Sequence, residues 1–234
     1  MKKLTVLLSI VVLCLSSHSS LALSLSPSLR SSLREFAAGR KPTPIPKDMK
    51  EATFVKEAQL LQNKVQETPM AIYCAFALAH RNVNYSSNIK GLVKTVEKRK
   101  GVNLFYGNAY ADDDLSVGDV ADLLKRLYLH RPDSNLLKYL LTWKFDGAPQ
   151  ETLIDIRYEL LLKYPRPVMD MASSLPNGLM VLSETLDFYY PDMEYRNMKK
   201  KVENYVSRNS GSKAAFGRKL LKTVGHNNNK MEVR

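Results

Sequence analysis

Apolar side chains recur every three or four positions through most of this chain, and runs that alternate every second residue between turns are absent. In the stretch from Phe54 to Val65, positions 54, 58, 61 and 65 share one helical face. Met70 to Ala79 is almost wholly apolar and predicts a central helix. Ile89 to Val96 predicts another, stopped by the basic run Lys98-Arg99-Lys100 and Gly101. Leu115–Leu129, Ser134–Phe145, Pro149–Tyr164, Leu179–Tyr189, Pro191–Ser207 and Lys213–Val224 carry the same period. The expectation is an all-α bundle of eight or nine helices joined by short connections.

Two ends break the pattern. Residues 1–22 combine basic Lys2-Lys3, an apolar run from Leu4 to Leu15, and the small residues Ser20 and Ala22, which is the layout of a secretory signal peptide. That apolar run is shorter than the ~20 residues a membrane span needs. Residues 23–50 are rich in Ser and Pro and carry Arg30, Arg34, Arg40 and Lys41. They read as a disordered basic arm, extended through Lys41-Pro-Thr-Pro-Ile-Pro-Lys47. The helical domain then runs over 51–224, and 225–234 is expected to be a flexible tail.

Processing changes the chemistry available. The formal charge is +12, of which Lys2 and Lys3 supply two, so the processed chain carries +10. Cys14 leaves with the signal, and Cys74 remains in an apolar helix as the single cysteine, so no disulfide forms within the chain. A secreted protein of this kind rests on its apolar core. Its positive charge favours acidic surfaces as partners. No later segment is apolar enough to span a membrane, and a monomer is expected.

The single tryptophan stands at a corner. Trp143 ends one helical pattern, the chain turns at Gly147, and a helix restarts at Pro149 with Leu153 returning toward the ring. A shift of 33 residues lays Tyr110–Pro132 against Trp143–Pro165 and matches five residues, among them Asp122 with Asp155 and Leu127 with Leu160. A 33-residue helical repeat is therefore a candidate. In the first block Ser116 and Asp119 form a capping-box pattern; in the second, Pro149 suits a first helical turn. Tyr110 and Trp143 read as core wedges between antiparallel helices, with an interface role as the alternative.

Trp143, Gly147, Pro149 and Leu153, and more loosely Tyr110, Ser116, Val120 and Leu124, resemble the helical motif of the RxLR-type WY-domain effectors secreted by oomycete plant pathogens. Those proteins carry an Arg-x-Leu-Arg element after the signal. Here Arg30-Ser-Ser-Leu33-Arg34 is one residue longer, and no Glu-Glu-Arg follows. The resemblance implies a secreted protein that enters a host plant cell, reaching its cytoplasm or nucleus. There it would suppress immune signalling or cell death by binding a host protein, without catalysis.

Other marks point elsewhere. Phe216-Gly-Arg-Lys219, like Ala38-Gly-Arg-Lys41, has the form of an amidated-peptide precursor site. A basic secreted protein that binds glycan or lipid is a further alternative. Asn84-Tyr-Ser86 is a glycosylation sequon. Lys98, Arg99 and Lys100, and Lys199, Lys200 and Lys201, are short basic clusters of the kind that act in nuclear import, although helix C-termini carry such residues for dipole reasons. His80, His130 and His226 show no metal-ligand spacing, and Asp112–Gly118 departs from a calcium loop. No catalytic residue, metal or cofactor is expected.

Overall fold

The computed structural model describes residues 26–64, 69–98 and 115–224. The helical period is realised throughout: eleven α-helices and no strand occur among the described residues. They are α1 Pro27–Ala37, α2 Glu51–Lys64, α3 Pro69–His80, α4 Tyr85–Lys98, α5 Val117–His130, α6 Ser134–Thr142, α7 Ala148–Lys163, α8 Pro165–Ser174, α9 Gly178–Phe188, α10 Met193–Ser207 and α11 Gly211–Thr223.

Two of these, α1 and α8, were not expected. Each begins with proline inside its first turn, where the missing N–H costs nothing and the fixed φ favours the helix. Helix α1 corrects the reading of 23–50 as a disordered arm. Ser26 caps it by accepting the Leu29 N–H, and Leu29, Leu33 and Phe36 fall on one buried face. Phe36 packs against Phe76 with ring centroids 5.2 Å apart. Arg126 of α5 donates to the carbonyls of Phe36 and Ala37, so a cation from the body of the protein closes the C-terminus of α1. The prolines that follow do stay out of helix, yet Pro44 and Pro46 are buried and Ile45 and Met49 pack on the core.

Helix α3 is the centre of the N-terminal half. It is buried on nearly every side, as a helix apolar all round must be. Helices α1, α2, α4 and α5 surround it. Cys74 lies here at 0% exposure, and burial pushes its thiol up to about 12, so it is an inert packing residue. Helix α5 joins the two halves by packing against α3 and α4 on one side and α6 and α7 on the other. It starts with the capping box expected of Ser116 and Asp119: the Asp119 N–H donates to Ser116 Oγ, and the Ser116 N–H to Asp119 Oδ2. The remaining helices, α6 to α11, share one continuous core with the first half.

The 33-residue shift is visible at the level of elements. A long helix followed by a short one, α5 with α6, recurs as α7 with α8, and Leu127 and Leu160 are both buried. The last two described helices, α10 and α11, pack closely against each other. A Cβ on Gly217 would lie 2.5 Å from Val206 Cγ2, so glycine there lets the two helices approach.

Candidate functional site

The Trp143 corner is built by local rules. Helix α6 stops as the Trp143 N–H bonds the Tyr139 carbonyl while Trp143 itself turns extended. Gly147 then takes φ +64°, a left-handed conformation that costs glycine little, and α7 starts with Pro149 in its first turn. Gln150 reaches back to accept the Phe145 N–H at 2.9 Å. The indole is 1% exposed, between Tyr139 at 5.7 Å and Phe145 at 6.0 Å, and Leu153 is fully buried. Trp143 is therefore a core wedge.

Beneath it lies a residue that the sequence did not single out. Arg157 on α7 is 0% exposed. Its Nε donates to the Leu140 carbonyl at 3.1 Å and its Nη2 to the Trp143 carbonyl, so it closes the C-terminal end of α6. Burial pushes its guanidinium down to about 10, against a smaller opposing pull from Glu184. The available signal was its place four residues after Leu153 and three before Leu160, inside the apolar stripe. Lys125, also buried, pairs with Asp122 on its own helix at 2.6 Å and joins α5 to α7 through Glu159 at 3.2 Å.

The fold pairs two histidines that lie far apart in sequence. His80, at the end of α3, stacks on His130, at the end of α5, with centroids 3.8 Å apart and planes 19° apart. His80 also meets Phe36 edge-on at 5.1 Å. The dipole argument favours a cation at the end of α3. Instead, burial first, then His130, Arg126 and Arg81, push His80 down to about 4 and hold it neutral. Among the described residues, no group of three His, Cys, Asp or Glu is placed to hold a metal ion.

A surface feature stands out at the junction of α9 and α10. Phe188, Tyr190 and Met193 are 50%, 39% and 67% exposed within six residues. Tyr189 anchors this knuckle from below. Its hydroxyl donates to Asp155 on α7 and its ring packs on Tyr158 at 4.8 Å. Burial and the Asp155 carboxylate hold its phenol above the ordinary range. Tyr190 rests edge-on against Tyr195 at 4.9 Å, so its orientation is set by packing. The sequence signal was the aromatic run Phe188-Tyr-Tyr190 ahead of Pro191 and Met193, at the break between two expected helices.

The other expected residues are scattered. Leu33 is wholly buried in α1, Arg30 is exposed and Arg34 half-buried, so packing accounts for the leucine of that element. Asn84 is exposed just ahead of α4. Lys98 is exposed at the end of α4. Tyr110, Arg99, Lys100, His226 and the signal lie outside the described residues. Lys199, Lys200 and Lys201 sit on successive faces of α10: the first two are exposed, with Lys199 3.9 Å from Glu203, and Lys201 is half-buried. Phe216 and Gly217 lie inside α11, where close helix packing accounts for the glycine. Among the described residues, no helix is long and apolar enough to cross a membrane. Comparisons with protein-family models, curated proteins and solved structures return no match.

Proposed function

We propose that this chain is a secreted effector that acts inside a host plant cell by binding a host protein, without catalysis, and so suppresses immune signalling or cell death. The observation that carries the binding role is the knuckle of Phe188, Tyr190 and Met193, exposed beside the half-buried Tyr189, whose hydroxyl is tied to Asp155. Aromatic residues and methionine are the types enriched where protein interfaces form, and a preorganised aromatic loses little entropy on docking. The site of action rests on the signal-peptide pattern, the lack of a disulfide requirement and the resemblance around Trp143.

Residues 23–234 expressed in leaf cells should capture a host protein and reduce induced cell death. A Phe188→Ser/Met193→Ser variant should fold, by its circular dichroism, yet lose both properties. Capture and cell-death suppression undiminished in that variant would refute the knuckle as the binding surface. Wild-type protein with neither property would refute the effector reading itself.

A further inference from the structure

One face of α10 is unusual for a helix that packs between neighbours. Lys201, Asn204, Tyr205 and Arg208 follow the i, i+3, i+4, i+7 spacing of a single stripe. Arg166, in the first turn of α8, stands opposite. Together with Asn209 these residues line a cavity of about 350 Å³, within the size range of small-molecule sites. The lining is dominated by hydrogen-bond donors, and it contains no carboxylate.

The partners of these groups decide what the cavity can hold. The side chains of Lys201, Asn204 and Arg208 make no hydrogen bond or ion pair among the described residues. Asp170 is an acid in contact with two of the lining residues, Tyr205 and Arg166. It is already engaged by the Tyr205 hydroxyl at 2.6 Å and by Lys213 at 2.9 Å, and its other oxygen is 4.0 Å from Arg166 Nε. Three cations therefore line one concavity; Arg166 is 4.0 Å from the Asp170 carboxylate, which Tyr205 and Lys213 also engage, while Lys201 and Arg208 have no such partner among the described residues. Pro165 and Pro167 carry no N–H, so the attraction comes from these side chains and not from the end of α8.

We propose that this cavity is a binding site for a phosphate monoester. Two guanidinium groups and an ammonium from two helices suit a compact dianion with three terminal oxygens, because arginine forks bind such oxygens in pairs. Asn204 adds a neutral donor to the lining, and Asn209, whose amide already donates to the Tyr205 carbonyl at 2.7 Å, retains one further N–H. By the helical rise, the site runs from about 12 Å (Lys201) to about 22 Å (Arg208) along α10 from Met193, and its residues are separate from those of the proposed protein contact. Only Lys201 of the run 199–201 belongs to it.

The test is titration calorimetry of residues 23–234 with inorganic phosphate. A parallel arm measures sedimentation with phosphatidylcholine vesicles containing either phosphatidylinositol phosphate or phosphatidylserine at matched charge. Saturable binding is expected for the wild type, weakened more than about tenfold in Lys201→Gln/Arg208→Gln. The control Lys199→Gln/Lys200→Gln removes the same charge from other faces of the same helix and should bind as the wild type does. Preference for the phosphoinositide vesicles, lost in Lys201→Gln/Arg208→Gln, would identify a lipid headgroup as the source. Phosphate binding without that preference would identify a soluble phosphate ester. Equal weakening in both double variants, or no saturable binding in either arm, would overturn the proposal.

Discussion

Replacing Trp143 by alanine tests whether the corner is core. A buried tryptophan removes roughly 150–250 Å² from water, which at about 25 cal/mol per Å² is about 4–6 kcal/mol. Part of that is offset here, because the buried indole Nε1 finds no acceptor, at a cost of about 1–3 kcal/mol. Alanine also leaves a cavity between Tyr139, Phe145 and Leu153 that α6 and α7 cannot fully close. The expected net loss is about 3–5 kcal/mol. Trp143→Phe keeps a ring between Tyr139 and Phe145 and relieves the unpaired N–H, so it should cost only about 1–2 kcal/mol. Urea unfolding followed by far-ultraviolet circular dichroism reads both, since the alanine variant lacks the only tryptophan. A loss under about 1 kcal/mol for alanine, or equal losses for alanine and phenylalanine, would refute the reasoning.

Arg157→Ala should destabilise by about 3–5 kcal/mol, since it empties a fully buried site and leaves the Leu140 and Trp143 carbonyls without their donor. Arg157→Lys should recover less than half of this, because an ammonium lacks the planar fork that reaches both carbonyls; full recovery in urea unfolding would count against the capping role. Acid should weaken the fold in a window set by His80. The unfolded residue takes its proton near pH 6.5, whereas in the folded protein it is held neutral down to about 4. Its contribution is thus complete above about pH 6.5 and falls away between there and about 4. Discounted for partial exposure, the loss should be about 1–2 kcal/mol, and His80→Phe should flatten that part of a stability–pH profile. The lowered carboxyl of Asp170, set by burial that opposes and by Tyr205, Lys213 and Arg166 that prevail, acts below this window.

Helix periodicity, the Ser116 capping box and the turn between Trp143 and Pro149 were legible along the chain. Each depends on residues within a few positions of one another, so the backbone that presents them is specified locally. The tertiary structure decided the rest. Helix α1 hides in a Ser- and Pro-rich stretch, and its apolar face has meaning only against Phe76 and beneath Arg126, which lies 90 residues from Phe36. Whether Arg157 points to water or lies buried depends on two carbonyls at the end of another helix. The His80–His130 stack, the outward knuckle at Phe188 and the cation-lined cavity between α8 and α10 all follow from which helix ends meet. A charge or an aromatic ring costs or gains free energy according to the groups placed around it. That placement comes from packing between segments distant in sequence, whereas helical period and caps are set by neighbours.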